Sequence, residues 1–381
     1  MIRKIHIENY KSIYNLDIEV GQINVFIGEN GSGKTNILEA LAFVAAAQTD
    51  KLDNEFLANR GIRITSPELT RSRFDDKSID KPIKIDLDLN DERILNFVIN
   101  HDNKPYSKWK QRIFDLDSKG ILKNIDPLTI MGILKILFHG SIEYIKTTDE
   151  FKNSIQQLKE QLQYEKLNNF IIYSPENTAL RNFYKEGQIE PLGVNGEGLL
   201  KLLHVIAQDE EKINIIIETL ELFNWFDSLE IPKQSLEEKV IIKDRFLKTV
   251  FDQRSTNEGF LFILFYAALM VSDDTPAVFA VDNIDASLNP KLCTELIENI
   301  ADLAKQFDKQ VFLTSHNPAI LDGIDLNDDE QRLFVVSRNK QGHTRVKRIT
   351  VDSEPKYYEN ESTKLSEAML RGYIGGLPKN F

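Results

Sequence analysis

Ile23-Asn-Val-Phe-Ile27 runs directly into Gly28-Glu-Asn-Gly-Ser-Gly-Lys-Thr35, and Ile37, Leu38, Leu41, Ala42 and Ala45 follow at helical spacing. This stretch reads as strand, glycine loop, helix, which is the context a phosphate-binding loop requires. Gly28, Gly31 and Gly33 free backbone N–H groups to face an anion, and the positive end of the helix adds to them. A simple turn would need the glycines alone; here every position of the motif is filled. The segment predicts a site for ATP, bound by Gly28, Asn30, Gly31, Ser32, Gly33, Lys34 and Thr35. Lys34 would reach the β- and γ-phosphates, and the Thr35 hydroxyl would bind Mg²⁺.

Moving outward, Arg3-Lys-Ile-His-Ile-Glu-Asn9 and Leu16 to Val20 alternate apolar and polar residues, as strands with one buried face do. In the last third, Ala277-Val-Phe-Ala-Val281 is a buried-strand run ending in Asp282. Residues 291 to 307 have the pattern of an amphipathic helix, and Gln310-Val-Phe-Leu-Thr314 is a second buried strand leading to Ser315-His316-Asn317-Pro318. Two strand ends would thus bring Asp282 and His316 to one edge of a parallel sheet, where ligands bind in open α/β folds. Asp282 is expected to hold the same Mg²⁺ as Thr35, and His316 to sense the γ-phosphate. A core histidine or a helix cap would also explain His316, and Asn289-Pro290 equally fits a helix start.

The chain has 381 residues, 41% hydrophobic and 28% charged, enough for a large core in one big domain with an insertion. No apolar run approaches the ~18 to 20 residues of a membrane helix, and Met1 to Tyr10 is charged where a signal peptide is apolar. A cytoplasmic protein without a membrane partner is expected. The net charge of −12 argues against indiscriminate coating of nucleic acid but leaves room for a local basic groove. Lys104, Lys108, Lys110 and Arg112, interleaved with Tyr106 and Trp109, suit such a contact or a solvated hairpin edge. The single Cys293 excludes an internal disulfide and a cysteine-built metal site.

Asp282 lies 248 residues after Lys34, more than a typical domain of ~100 to 150 residues, so an insertion must separate the two motifs. Ile83 to Leu89 and Ile94 to Ile99 read as short strands of an antiparallel subdomain with a turn at Asn90-Asp91. Ile142 to Leu167 and Gly198 to Leu222 read as helical, with an extended piece at Val240. The expected division is an N-terminal ATPase lobe over 1–130, a mainly helical insertion and partner surface over 131–250, and a C-terminal ATPase lobe over 251–381.

The phosphate loop, the strand ending in Asp282, Ala286-Ser-Leu-Asn-Pro290 and Thr314-Ser-His-Asn-Pro318 together resemble the RecF/SMC-like branch of ABC-type ATPases. Within it the chain resembles the AAA family predicted ATPases of bacterial defence loci, including overcoming-lysogenisation-defect proteins without their nuclease domain. Ile7-Glu-Asn-Tyr-Lys-Ser12 and Leu370-Arg-Gly-Tyr-Ile-Gly-Gly-Leu-Pro378 carry the same resemblance, which covers roughly 1–48 and 255–375 and the middle only loosely. It implies an α/β fold: an ABC-type P-loop ATPase with a parallel core sheet, an antiparallel β-subdomain and a mainly helical insertion.

The resemblance also implies a homodimer or higher oligomer in which a signature segment of one subunit closes on the ATP of the other. The matching segment is Ser255-Thr-Asn-Glu-Gly259, whose Asn257 and Gly259 would contact the partner's γ-phosphate. It departs from the usual small residues after Ser, and its letters also suit a helix N-cap. Lys11 and Ser12 match nucleotide-touching positions, though a strand-end turn would use them too. Where the family has a general-base Glu after the Asp, this chain has Asn283, which can orient water but cannot take its proton. Hydrolysis is therefore expected to be slow unless Asp285 substitutes, and no glutamine is assignable to the Q-loop. Three functions stay open: an ATP-gated switch in antiphage defence or a toxin–antitoxin pair with a separately encoded effector, a RecF-like DNA repair ATPase, and a non-hydrolysing ATP-binding scaffold.

Overall fold

The computed structural model describes residues 1–75, 78–116, 122–125, 164–182, 191–231, 239–351 and 364–375. Two six-stranded sheets organise them. The first is antiparallel, ordered β2-β1-β4-β5-β6-β7, from Ile13–Glu19, Ile2–Tyr10, Ile83–Leu89, Ile94–Asn100, Lys110–Leu116 and Leu122–Ile125. The anticipated subdomain is therefore larger than the pair 83–99, because both N-terminal strands pair into it. The second sheet runs β15-β14-β3-β13-β12-β8, from Thr344–Ile349, Gln331–Arg338, Ile23–Ile27, Gln310–Ser315, Val278–Val281 and Ile172–Tyr173. All its pairings are parallel except β14 with the edge strand β15.

The alternation of side chains along the parallel strands divides the core in two. Val25, Phe279, Val281, Val311, Leu313 and Leu333 face one side, and Phe26, Val278, Ala280, Phe312 and Phe334 the other. Helix α1, Lys34–Gln48, lies between the two sheets, and every residue of it but Thr35 is buried. This explains its near-uniform apolar sequence, Ala-Leu-Ala-Phe-Val-Ala-Ala-Ala: a helix covered on both sides has no polar face. On the opposite face of the parallel sheet lies the helix Glu258–Val271, apolar for the same reason, flanked by the amphipathic helix Pro290–Gln306. At ~25 cal/mol per Å² of apolar surface removed from water, burial of these two faces is the main stabilising term.

The described part of 131–250 contains the helices Leu199–Ile206 and Glu210–Leu220 and the strands β9 (Phe226–Glu230) and β10 (Ile241–Asp244), which form a three-stranded antiparallel sheet with β11 (Phe251–Asp252) just beyond it. The helical reading of Ile142 to Leu167 lies outside the described residues except at its end, where Glu165–Leu167 form a 3₁₀ turn. No described helix is long and apolar enough to cross a membrane.

Candidate nucleotide site

The register of the parallel sheet assembles the site. Ile27 of β3 pairs with Ser315 of β13, so the residues that follow, Gly28 and His316, leave the sheet side by side. Val281 pairs with Leu313 and with Tyr173, which sets Asp282 between Thr314 and the end of β8. The Asp282 N–H donates to Tyr173 O at 2.8 Å and the Ile284 N–H to Thr314 O at 3.0 Å, fixing the turn beyond the strand.

Gly28 and Gly33 are glycines for a steric reason. A Cβ on Gly28 would stand 2.2 Å from Val336 O, and one on Gly33 2.2 Å from Thr344 Oγ1 in a backbone with φ +109°. Lys34 folds back on the loop, its Nζ donating to Gly28 O at 2.8 Å and Glu29 O at 3.1 Å, with His316 Nδ1 3.4 Å away. Burial pushes the Lys34 pKa down to about 8, against the opposing pull of Asp282 and Asp285. Partial burial and then the Lys34 charge lower His316 below its ordinary value, favouring a neutral ring.

Thr35 Oγ1 donates to Asp282 at 3.0 and 3.2 Å, and Thr314 Oγ1 donates to the same carboxylate. Asn283 is exposed, has a left-handed φ of 57°, and is tied by its N–H to Thr314 Oγ1 at 2.9 Å. Ser32 Oγ and Asp285 Oδ1 are buried without a hydrogen-bond partner, and such atoms point to a missing one. Asp285 lies three residues beyond Asp282, and its charge acts on both Lys34 and His316.

This chemistry fits a triphosphate with Mg²⁺. Thr35 and Asp282 supply hard oxygen donors, and Mg²⁺ is ordinarily held by one or two carboxylates together with phosphates and water. Among the described residues there is no cluster of three His, Cys, Asp or Glu for an all-protein metal cage. Bound Mg²⁺ would neutralise part of the phosphate charge.

Asn30 and Gly31 lie exposed at the loop's outer end. Lys11 and Ser12 form the turn between β1 and β2, Lys11 with φ +46°. Lys11 Nζ pairs with fully buried Glu39 at 2.6 Å, and Ser12 Oγ receives a bond from Asn36 Nδ2 at 2.6 Å. Asn257 and Gly259 stand at the start of the helix Glu258–Val271. The Asn257 side chain caps the helix Glu258–Val271 through Phe260 N–H at 2.8 Å, as Asn289 caps the helix Pro290–Gln306. Gly259 is buried, and a Cβ there would lie 3.1 Å from Ser287 O. Lys110 and Arg112 are on β6, and the rest of that basic stretch is the loop before it, with Tyr106 fully exposed and Trp109 edge-on to Phe43.

Several contributors carry no sequence signal. Arg63 donates to Glu39 Oε1 at 2.8 Å and to Asn36 Oδ1 at 2.8 Å. That Glu39 bond and the Asp282 charge raise its pKa. Arg63 sits in an unpatterned stretch after α1, where nothing local predicts a partner. Arg181 holds the signature-like segment, donating to Gln253 O, Arg254 O and Thr256 O at 2.8 to 2.9 Å. Its role depends on contacts more than 70 residues away in the sequence.

The family described as "AAA domain, putative AbiEii toxin, Type IV TA system" matches residues 23–322. The fold is similar to an Smc head bound to the C-winged helix domain of ScpA, with TM-score 0.56 and 13% identity over 92% of this chain and 98% of that one. A second Smc head domain, bound to the C-terminal domain of ScpA from Pyrococcus furiosus, gives TM-score 0.51 at 13% identity, covering 92% and 96%. Among curated relatives, the DNA replication and repair protein RecF of Listeria welshimeri is 38% identical over 55 residues, 14% of this chain. The chain spans only about 15% of the length of that relative.

Proposed function

The chain belongs to the family described as "AAA domain, putative AbiEii toxin, Type IV TA system" and is a RecF/SMC-like ABC-type ATPase; from that premise we propose that it works as an ATP-gated dimeric switch in antiphage defence or a toxin–antitoxin pair. The reading rests above all on one observation: Lys34, Thr35, Asp282 and His316 converge at one sheet edge beside the unpartnered Ser32 Oγ and Asp285 Oδ1. In this reading Lys34 and the loop N–H groups from Gly28 to Thr35 bind the triphosphate, and Thr35 and Asp282 hold Mg²⁺. His316 contacts the γ-phosphate as a neutral donor, Asn283 orients water and Asp285 takes its proton. Asn257 and Gly259 complete the site of a second subunit, and a separately encoded effector is the partner, seated on the 131–250 region.

The test is calorimetric ATP binding together with light scattering. ATP, but not ADP, should shift the protein to a dimer. Ser255→Trp, at an exposed position of the signature-like segment, should block the shift and leave ATP binding intact. Absence of ATP binding by the wild type would remove the whole reading, whereas binding with no change in mass would remove the dimer.

A second reading, a non-hydrolysing ATP-binding scaffold, is favoured by Asn283 in place of a general base. A turnover rate no greater than that of Lys34→Ala would select it. The RecF-like repair function draws on short local identity alone.

A further inference from the structure

The hairpin of β14 and β15 is far from the phosphate loop in sequence, yet it forms the loop's outer wall. Arg338 Nε donates to Gly31 O at 2.7 Å, and Thr344 Oγ1 to Ser32 O at 3.0 Å. The two close approaches that demand glycine at 28 and 33 are to Val336 and Thr344 of this hairpin.

Thr344 is fully buried, and its hydroxyl lies 2.7 Å from Ser12 Oγ. Ser12 Oγ in turn accepts from Asn36 Nδ2 at 2.6 Å, and Asn36 Oδ1 accepts from Arg63 Nη2 at 2.8 Å. The ends of this series fix its direction. A guanidinium can only donate and a carbonyl can only accept. Each hydroxyl has one proton, so Ser12 gives its proton to Thr344 and Thr344 gives its own to Ser32 O. No other arrangement satisfies all four bonds.

We propose that Thr344 is a positioning residue of the nucleotide site: as the last donor in the series Arg63, Asn36, Ser12, Thr344, it fixes the Ser32 carbonyl and so aims the loop N–H groups at the phosphates. It also ties the loop to Arg63, on which the Asp282 charge acts. Ser12, which resembles a nucleotide-touching position, acts here one step behind the loop, buried and bonded on both sides. Thr344 touches no phosphate in this reading; its effect passes through Ser32. The inference rests on the proposed ATP site.

The experiment compares full-length Thr344→Val, which keeps the shape and removes the hydroxyl, with Thr344→Ser, which keeps the donor. Affinity for Mg-ATP is measured by calorimetry. Leaving the buried Ser32 carbonyl and Ser12 hydroxyl without their partner should weaken binding on the order of 10-fold in Thr344→Val. Thr344→Ser should stay within about 2-fold of the wild type. Ser12→Ala breaks the same series one link earlier. It should weaken ATP binding in the wild-type background and have little further effect on binding in Thr344→Val, because the link from Ser12 to the loop through Thr344 is already gone. Equal affinity of Thr344→Val and the wild type, or strictly additive losses in the double variant, would overturn the proposal. If Thr344→Val does not fold, Ser12→Ala and Thr344→Ser decide: the proposal predicts a loss in the first and none in the second. A wild type that binds no ATP would refute the nucleotide reading itself, a different outcome from any of these.

Discussion

Nζ of Lys34 stands 3.4 Å from Nδ1 of His316 at the mouth of the phosphate loop, and the same lysine donates to Gly28 O. Two groups that can each be cationic share one small volume, and the histidine is the one kept neutral. The lysine also titrates early, near pH 8, because it is buried.

ATP binding should therefore depend on pH above neutrality. Free protein loses the Lys34 proton above pH of about 8, while a bound triphosphate favours the ammonium and holds it to higher pH. Between those values the complex carries more protons than the free protein. Binding takes up a proton there, so affinity falls as pH rises through 8 and is flat below it as far as this group decides. The limiting slope is about tenfold per pH unit. Calorimetry in buffers of different ionisation enthalpy measures the uptake directly; Lys34→Ala should lose both the slope and high-affinity binding.

The loop glycines should not be equivalent. Gly31 has φ +75° but nothing within 4 Å of an added Cβ, so Gly31→Ala should cost only the backbone strain, ~1 to 2 kcal/mol. Gly33→Ala meets Thr344 Oγ1 at 2.2 Å and Ser12 Oγ at 2.8 Å and must displace the series that holds the loop. Its ATP affinity should fall far below that of Gly31→Ala. Equal affinities in calorimetry would mean that the hairpin does not shape the loop.

Arg181→Ala tests the support of the signature-like segment. Three charge-assisted bonds to carbonyls of residues 253–256 are lost, a cost of about 1.5 to 3 kcal/mol in thermal or denaturant unfolding. ATP binding at the loop should persist, since Arg181 lies outside it. ATP-dependent dimerisation should weaken. Unchanged dimerisation would show that the segment needs no such support.

The parts of the fold legible in the sequence are those whose signals are local. Strand β3, its glycine loop and α1 follow each other without interruption, and the strands Val278–Val281, just before Asp282, and Gln310–Ser315 are short, mostly apolar runs. Their register then follows from sheet pairing. What was not legible depends on long-range contact. β15 looks like any alternating strand until it is paired with β14, and only then does Thr344 reach Ser32 O. Glu39 reads as one polar position on an apolar helix, and it becomes a buried partner of Lys11 and Arg63 only once two other segments arrive. Polar residues that pair across tens to hundreds of positions leave no period to detect.

In the proposed site, hydrolysis turns on Asn283. Its backbone has φ +57°, a conformation asparagine tolerates better than most residues, and its N–H is tied to Thr314 Oγ1. Asn283→Glu should raise ATP turnover by placing a carboxylate one residue beyond Asp282, at a cost of ~1 to 2 kcal/mol from the left-handed backbone. Its added charge also repels the triphosphate, so turnover must be measured at saturating ATP to separate rate from binding. Asp285 offers the competing base: one oxygen is buried without a partner, and its charge is felt by Lys34 and His316. If Asp285 already takes the proton, Asp285→Asn should lower turnover by ~10² to 10⁴, and Asn283→Glu should add little to the wild type while restoring part of the loss in Asp285→Asn. If neither substitution changes turnover, both base assignments fail. The proton acceptor would then have to be His316, held neutral beside Lys34, or a group supplied across the dimer, and His316→Gln would separate those two by abolishing turnover only in the first case.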